Sequence, residues 1–469
     1  MGRFIEDTIC AVATAAGEGG IGIVRVSGEK SIEIGSGLLR LHSGQSLQML
    51  AARTLHQADV LDETVTAGMP QAAHPLQLDE ALVAVMRAPH SFTGEDVVEF
   101  HCHGSPIVLQ RLCECLVSRG ARLAEPGEFT KRAFLNGRLD LTQAEAVLDT
   151  IRAKTSSSLR LAQQQLRGAL SDEIDVIKQA LAALLAHVEA AIDFTEEDIA
   201  FIEPAELAHQ LQQAGERVNQ LIRSYEEGRI LREGVAAAII GRPNVGKSSL
   251  LNVLLGTDRA IVTAVPGTTR DVLEEVLNIR GVPVRLLDTA GIREAHDAVE
   301  QAGIARTRLA IDHADLLLII LDGSAPLCAD DLELLALSRE KNAVVVVNKT
   351  DLPLHVSEAD LIGFKSVVWI SVKTDAGMSN LRDAIRRSVL REDFEPHEGA
   401  TITRVRHRVG LKKAEAALSK AVESVSSKLP GEFVALDVRG AIDALGEITG
   451  SVTTDDILDR IFSEFCIGK

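Results

Sequence analysis

The chain has 469 residues, and its composition, 46% hydrophobic and 25% charged, is that of a globular protein, which excludes a collagen-like or largely disordered one. At about 150 residues per domain, this length predicts two to four domains. The 67 acidic residues outnumber the 49 basic ones and give a net charge of −18, which excludes a general nucleic-acid coat protein with a broad basic surface.

The chain carries no evident signal for export or membrane insertion. Glu6 and Asp7 lie within the first ten residues, whereas a secretory leader has an uninterrupted apolar core there. The longest apolar runs, such as 316–321, are far shorter than the ~18 residues that span a bilayer. The six cysteines show no CxxC pair and no disulfide-like spacing, which is typical of a reducing compartment. We therefore expect a cytoplasmic protein with no membrane contact.

The first segment, 1–135, mixes short strand-like runs with turn residues. Apolar runs at 21–26 and 82–85 predict strands, and 107–117 predicts a helix. The stretch 43–79 has the irregular pattern of loops. This mixture predicts an α+β domain.

Helical periodicity begins near Leu139 and defines a second segment, 136–233. Apolar residues recur every three or four positions from Leu166 to Ile192, which predicts one continuous bundle helix. A further helix is expected to begin at Pro204, because proline is favoured in the first turn of a helix.

A third segment, 234–390, has the pattern of an α/β domain. Short apolar runs separated by helical stretches predict a parallel sheet covered on both faces, at 235–240, 284–287, 316–321 and 343–347. The run 391–399 has the composition of a linker, and helical periodicity returns at 411–425. The predicted fold class is therefore multidomain α+β and α/β, with the α/β domain inserted into a helical bundle domain formed by 136–233 and 391–469.

The strongest motif is the phosphate-loop sequence GRPNVGKS at 241–248. It follows a predicted strand, and Ser249 opens a predicted helix, which is the context that a phosphate loop requires. Lys247 would reach the β- and γ-phosphates of a nucleotide, and Ser248 would ligate Mg²⁺.

Three further motifs distinguish GTP from ATP. The sequence DTAG at 288–291 places Asp288 after a strand, where its carboxylate can hold the water shell of Mg²⁺. In the sequence NKTD at 348–351, Asp351 can accept hydrogen bonds from N1 and N2 of guanine, whereas adenine would leave it unpaired, a mismatch worth about 10⁴ in discrimination. The sequence SVK at 371–373 completes the base pocket. The order of these elements is that of a Ras-like GTPase domain.

The catalytic groups of common GTPases are incomplete in this chain. Thr269, in the sequence PGTTRD, can complete the Mg²⁺ shell when a switch loop closes over the γ-phosphate. However, Ile292 follows the DTAG sequence where a water-positioning glutamine is usual, and no arginine stands out as a finger. Another group must therefore neutralise charge and orient the attacking water.

The chain resembles the MnmE (TrmE) family of tRNA-modification GTPases. The phosphate loop, PGTTRD and DTAG-Ile-Arg match that family, and so do FTGED at 92–96, PGEF at 126–129 and RAFLNG at 132–137. The chain also ends in CIGK at 466–469, the terminal tetrapeptide of the family. Together these matches extend over nearly the whole length.

The resemblance implies a G domain that dimerises and uses potassium in place of an arginine finger. Asn244, Thr263, Val265 and Thr268 would ligate K⁺, and Glu300 would orient the attacking water.

The residues expected to bind GTP are Asn244, Val245, Gly246, Lys247, Ser248, Ser249, Thr263, Ala264, Val265, Pro266, Gly267, Thr268, Thr269, Asp288, Thr289, Ala290, Gly291, Asn348, Lys349, Thr350, Asp351, Ser371, Val372 and Lys373.

The resemblance also implies that 1–135 forms a constitutive homodimer and binds a tetrahydrofolate derivative, in its 5-formyl or methylene form. Arg25, Glu99, Arg138 and the terminal Lys469 would contact the folate, and Cys466 would lie near the chemistry. With an FAD-containing partner similar to MnmG, in a heterotetramer, such a protein adds a carboxymethylaminomethyl or aminomethyl group at C5 of the wobble uridine of certain tRNAs.

Two other functions remain open on the residues alone. One is a regulatory GTPase switch, such as a ribosome-assembly factor, which would have no use for the folate-type motifs. The other is a dimerisation scaffold with a vestigial nucleotide site, which would show no potassium-dependent hydrolysis.

The acidic total hides two basic stretches. Residues 150–171 contain four basic residues and 401–413 contain five, and neither stretch has an acid. We expect tRNA phosphates to dock at these two stretches, although a solvated helix face would show the same charge pattern.

Overall fold

The computed structural model describes residues 7–62, 76–193, 202–260, 275–287, 311–391 and 399–468. Its described residues form two units. The first contains the chain up to Leu148 and the segment from Thr449 onward, and the second contains the described residues from Asp149 to Ile448. The four segments predicted from the sequence are not the same division, and their boundaries stay a prediction.

The first unit is built on a seven-stranded sheet with the order β3-β4-β5-β6-β2-β1-β7. The strands are β1 (Ile9–Val12), β2 (Gly19–Ser27), β3 (Leu39–Leu41), β4 (Leu55–Asp62), β5 (Leu76–Met86), β6 (Val97–Gly104) and β7 (Arg122–Leu123). Neighbouring strands are antiparallel except for β1 and β7. The helices of this unit are α1 (Ser31–Ser36), α2 (Pro106–Ser118), α3 (Glu128–Leu135), the first part of α4 (Leu141–Arg152) and a C-terminal helix, Asp455–Phe462.

The two faces of this sheet have different characters, because successive side chains on a strand point to opposite sides. Val24 and Phe100 face each other across β2 and β6 and belong to a large apolar core that includes residues of α2. The other face carries Ala11, Arg25 and Glu99 in one cross-strand row. A charged pair therefore lies on the sheet face away from the main core.

The loop-rich interpretation of 43–79 was wrong in part. β4 occupies Leu55–Asp62, and β5 begins at Leu76. Polar residues interrupt the apolar pattern of β4, so that only Ala58 and Val60 alternate as buried positions in the middle of the strand. Pairing with β5 along the whole strand, which is not visible in local sequence, stabilises it.

The second unit contains a helical bundle. Its helices are the end of α4, α5 (Ser156–Leu166), α6 (Ala169–Asp193), α7 (Pro204–Arg223), α8 (Tyr225–Glu233), α12 (Val405–Ser426) and α13 (Gly431–Thr449). The continuous helix predicted from Leu166 to Ile192 is confirmed over most of its length by α6, but α6 begins only at Ala169, because Gly168 has φ +96° and separates it from α5. Among the described residues, no helix is both long enough and apolar enough to cross a membrane.

The same unit contains the predicted α/β sheet, with the order β13-β12-β11-β8-β10-β9. Its strands are β8 (Val235–Ile240), β9 (Glu275–Ile279), β10 (Val282–Leu286), β11 (Leu316–Asp322), β12 (Ala343–Asn348) and β13 (Val367–Trp369), with helices α9 (Lys247–Asp258), α10 (Ala329–Ser338) and α11 (Met378–Val389). All neighbours are parallel except β9, which forms a hairpin with β10. All six residues of β8 and of β12 are buried, as expected for strands covered on both faces. The predicted fold class is confirmed.

Candidate functional site

The phosphate-loop sequence lies between β8 and α9, in the strand–loop–helix order that was predicted. Asn244 and Gly246 both have left-handed backbone conformations, with φ +65° and +106°. Lys247, Ser248 and Ser249 form the first turn of α9. The N-terminus of a helix is a favourable place for phosphate oxygens, because its first N–H groups lack intrahelical partners.

Gly246 has a specific steric requirement. A Cβ atom at this position would lie 2.3 Å from Nδ2 of Asn348. The same Nδ2 donates a hydrogen bond to the carbonyl oxygen of Val245, at 2.9 Å. The phosphate loop and the NKTD sequence are therefore in direct contact, and only glycine leaves room for it.

Lys247 is partly buried inside its own loop. Its Nζ donates hydrogen bonds to the carbonyl oxygens of Gly241, at 2.8 Å, and of Arg242, at 2.7 Å. Burial lowers the pKa of Lys247 from its usual 10.5. A phosphate beside this ammonium group would favour its charged form and would offset the cost of burial.

An ion pair fixes the outer side of the loop. Nε of Arg242 lies 3.3 Å from Oδ2 of Asp331, whose side chain is only 1% exposed. Asp331 belongs to the first turn of α10, where it also accepts a hydrogen bond from the backbone N–H of Cys328. The Arg242 carbonyl that holds Lys247 is thus tied to a neighbouring helix.

The expected base-binding residues come together at the carboxyl end of β12. Oγ of Ser371 donates to Oδ1 of Asp351 at 2.7 Å, and the N–H of Val372 donates to Oδ1 of Asn348 at 3.1 Å. The hydrogen bond from Ser371 lowers the pKa of Asp351 below its usual 3.8, and Lys373 and Lys349 lower it further. Asp351 therefore stays ionised, as an acceptor of guanine N–H groups must.

Sequence reasoning missed Asp322, the last residue of β11. Its Oδ2 accepts a hydrogen bond from Nζ of Lys349 at 2.6 Å. Burial would raise the pKa of Asp322, but this bond and those from Ser324 outweigh it and lower the pKa. The signal was present, since Asp322 ends an apolar run as Asn348 does.

Several predicted site residues lie outside the described residues. They are Thr263, Ala264, Val265, Pro266, Gly267, Thr268, Thr269, Asp288, Thr289, Ala290, Gly291, Glu300 and Lys469. Their roles at magnesium, potassium, the attacking water and the folate stay predictions.

The first unit holds the second predicted site. Arg25 and Glu99 are cross-strand neighbours on β2 and β6, and Nε of Arg25 donates to Oε1 of Glu99 at 2.8 Å. Their side chains are 17% and 15% exposed. The guanidinium carbon of Arg25 lies 6.0 Å from the ring centre of Phe92 and 5.7 Å from that of Phe129, within the range of cation–π attraction. A half-buried charged pair beside aromatic rings suits a flat ligand with polar edges.

Two more predicted residues, Arg138 and Cys466, lie in the same unit as this pair. Nε of Arg138 donates to the carbonyl oxygen of Ser91 at 3.1 Å, next to Phe92 in the chain. The C-terminal segment returns to β1, since a Cβ atom on Gly468 would lie 2.2 Å from the carbonyl oxygen of Val12. Cys466 is exposed, and its carbonyl oxygen accepts a hydrogen bond from the N–H of Gly127.

A buried charge network adjoins the pair and was not predicted. Arg132 is 1% exposed, and its guanidinium donates to Asp7, Glu95 and Glu128. Glu95 also accepts from Oγ of Ser27, two residues along β2 from Arg25 and on the same face. Arg132 and Glu128 belong to the family-type motifs quoted above, but their pattern alone does not distinguish a buried ion pair from an exposed one.

Comparison with known proteins agrees with this arrangement. The family model for the TrmE N-terminus, described as a GTP-binding protein, matches residues 8–138, and the model for the MnmE helical domain matches 141–466. Proteins of Alkaliphilus metalliredigens and Clostridioides difficile are 43% and 42% identical, each over 469 residues. A protein of Heliobacterium modesticaldum is 46% identical over 477 residues. Each comparison covers 99% of this chain and 100% of the relative, and each relative is named tRNA modification GTPase MnmE.

Proposed function

The chain belongs to the MnmE family of tRNA modification GTPases, and from this membership we propose that it hydrolyses GTP in the modification of tRNA. The finer proposal is that it acts with an FAD-containing partner similar to MnmG. Together they add a carboxymethylaminomethyl or aminomethyl group at C5 of the wobble uridine. The observation that carries the proposal is the contact between the guanine-type sequence and the phosphate loop through Asn348.

The geometry of the described residues suits GTP. Asn348 uses its amide nitrogen to hold the loop at Val245 and its amide oxygen to hold the N–H of Val372. A single side chain thus fixes the base-binding segment relative to the phosphate-binding segment. Asp351 supplies the ionised acceptor for guanine, and Lys247 supplies the positive charge for the phosphates. Water is the proposed nucleophile.

The described residues also suit two cations. Ser248, in the first turn of α9, offers a hydroxyl for Mg²⁺, and Thr269 and Asp288 are the proposed partners. Asn244 would offer its amide oxygen to K⁺, with Thr263, Val265 and Thr268. These cations supply the charge neutralisation that an arginine finger provides in other GTPases. Glu300 is the proposed residue for orienting water, and we propose that two G domains must meet for hydrolysis.

The Arg25–Glu99 pair is the proposed site for a tetrahydrofolate derivative. Glu99 offers a carboxylate to the donor edge of a pterin, and it is held in place by Arg25 and by His101, whose Nε2 lies 3.2 Å away. Arg138 and Lys469 are the proposed partners for acidic groups of the ligand, and Cys466 lies on the same C-terminal segment. The folate supplies the one-carbon unit, and the flavin of the partner supplies the redox chemistry. We propose homodimerisation through 1–135.

Replacing Glu99 by Gln is expected to weaken the binding of 5-formyl-tetrahydrofolate by at least about tenfold, because a hydrogen bond to a charged group contributes about 1.5–3 kcal/mol. Calorimetric titration of the full-length protein measures this. His103→Gln is the matched control, since His103 lies on the same strand but is 74% exposed. Unchanged folate affinity in Glu99→Gln would contradict the proposed site.

The proposed function is tested by nucleoside analysis of tRNA from cells that lack this protein. We expect the C5 modification of the wobble uridine to disappear, and to return when the chain is supplied again. It should not return with a chain that lacks 466–469, if the terminal tetrapeptide is near the chemistry. Unchanged wobble uridine together with defective ribosomes would favour a regulatory switch instead.

A further inference from the structure

Asp322 lies beside the base-binding sequence, but the proposed function gives it no role. It ends β11, and its partner in the parallel register is Asn348, the last residue of the neighbouring strand β12. The residues that follow, Gly323 and Lys349, therefore begin adjacent loops at the same edge of the sheet. The N–H of Gly323 donates to the carbonyl oxygen of Asn348 at 2.8 Å, which joins the two loops.

The close approach of the two loops requires a glycine at position 323. A Cβ atom on Gly323 would lie 2.9 Å from the carbonyl oxygen of Asn348 and 2.9 Å from Cγ1 of Val347. On the other loop, Lys349 has a left-handed backbone conformation, with φ +67°. This conformation is unfavourable for a residue with a Cβ atom, so surrounding contacts must hold it. The two loops are thus built to fit against each other.

Both carboxylate oxygens of Asp322 are engaged by donors. Oδ1 accepts from the backbone N–H of Ser324 at 3.0 Å and from its Oγ at 2.6 Å. Oδ2 accepts from Nζ of Lys349 at 2.6 Å, and the two side chains are 13% and 32% exposed. Ser324 therefore orients the carboxylate, and its second oxygen holds the lysine. A short, charge-assisted bond between half-buried groups is stronger than an exposed ion pair.

Lys349 is also a potential competitor for Asp351, which is two residues further along the chain. Besides the hydrogen bond from Ser371, the positive charges of Lys373 and Lys349 lower the pKa of Asp351, so both lysines lie within electrostatic reach of it. Even so, among the described residues only the hydroxyl of Ser371 bonds the Asp351 carboxylate from another side chain. The carboxylate is thus left open to a donor from outside the protein.

We propose that Asp322 is a positioning residue for guanine recognition: by holding the ammonium group of Lys349, it keeps Asp351 open to the N–H groups of the base. A lysine released beside Asp351 would pair with its carboxylate and compete with guanine for the same oxygens. Lys373 competes less, because it is exposed and its charge is screened by water and salt. The inference rests on the proposed function, since it takes 348–351 as the base-binding sequence.

The first test measures nucleotide preference in the full-length variant Asp322→Asn. Its probes are GDP and inosine 5′-diphosphate (IDP), which lacks the N2 amino group of guanine. We expect the affinity for GDP to fall about tenfold and that for IDP about threefold or less, because the hydrogen bonds to the Asp351 carboxylate are the ones weakened. A general distortion of the site would weaken both nucleotides equally.

Ser324→Ala is the matched control for this variant, because it removes one donor to the same carboxylate and leaves the bond from Lys349 in place. It should change the affinity for GDP by less than about threefold, since the backbone N–H of Ser324 still bonds Oδ1. Circular dichroism checks that each variant is folded, and Asp322→Ala replaces Asp322→Asn if the latter is unfolded.

The second test is a double-mutant cycle with Lys349→Met, which removes the competing charge. Adding Asp322→Asn to Lys349→Met should change the affinity for GDP by less than about threefold, because no ammonium group is left to be released. Lys373→Met is the matched control for this rescue, and in its presence Asp322→Asn should still cost about tenfold.

The remaining outcomes overturn the inference. Equal losses for GDP and IDP, or the same loss with and without Lys349, would show that the pair only stabilises the fold. Unchanged affinities in Asp322→Asn would show that Lys349 needs no restraint. In each of these cases the unchanged protein still binds GDP, and the proposed function stands. Failure of the unchanged protein to bind GDP would reject the proposed function as well.

Discussion

Replacing Asp351 by Asn is expected to change the nucleotide preference of the protein from GTP to XTP. The carboxylate of Asp351 accepts from N–H groups of guanine, and an amide in its place offers a donor where guanine also has one. Xanthine has an oxygen at that position, so the amide can pair with it. We expect the affinity for GTP to fall by about 10³–10⁴, by analogy with sites that lose an essential hydrogen-bond partner. Competition between GTP and XTP for a fluorescent nucleotide measures the change.

The control for this experiment is Ser371→Ala, which removes one hydrogen bond to the same carboxylate. It should weaken GTP binding by no more than about tenfold and should leave the preference for GTP intact, because Asp351 remains an acceptor. A variant Asp351→Asn that still prefers GTP over XTP would contradict the assignment of 348–351 as the base-binding sequence.

Replacing Arg132 by Met is expected to destabilise the first unit by about 3–5 kcal/mol, since breaking a buried ion pair leaves an uncompensated charge. Arg132 is 1% exposed, and its removal would take one charged donor each from Glu128, which is 6% exposed, and from Glu95. Hydrogen exchange of peptides from β1 and β2, in the full-length protein, measures the free energy of opening. Arg122→Gln is the matched control, because Arg122 also contacts Glu128 but is 43% exposed, and should cost about 1 kcal/mol or less. Equal effects of the two substitutions would show that burial is not decisive.

The same network predicts a pH dependence. Burial alone would raise the pKa of Glu128, but hydrogen bonds from Arg122, from the backbone N–H of Glu125 and from Arg132 outweigh it and lower the pKa below 4.5. A carboxyl whose pKa is lowered in the folded state stabilises that state above its unfolded pKa, and loses this contribution as the pH falls through the folded pKa. The stability of the first unit in the Arg132→Met variant should therefore depend less on pH below about 4.5 than that of the unchanged protein.

Much of the second unit follows from local sequence. The buried strand β8 coincides with the apolar run 235–240, and β11 and β12 each match a predicted run to within one residue. Strands buried on both faces have near-continuous apolar sequences, so their signal is local. The phosphate loop can also be predicted from local sequence, because its glycines and its lysine occupy fixed positions between a strand and a helix.

Features that depend on distant partners could not be predicted in this way. β4 was missed because its stability comes from pairing with β5, and the break after α5 was missed because the apolar stripe continues through Gly168. The burial of Arg132 is set by three acids that are 4, 37 and 125 residues away in the chain. The placement of Phe92 and Phe129 beside Arg25 likewise arises only when the sheet has formed.

The contact between Gly246 and Asn348 also constrains how this sequence can evolve. The two positions are far apart in the chain, but a side chain at 246 would collide with the amide of Asn348. A smaller residue at 348 would relieve the collision, but it would give up the bonds to Val245 and Val372 at the same time. A substitution at either position alone would therefore weaken the contact between the phosphate loop and the base-binding sequence. A substitution at Asp351 can change the nucleotide specificity without disturbing this contact, because Asp351 takes no part in it. A substitution at Gly246 or Asn348 would disrupt the contact itself.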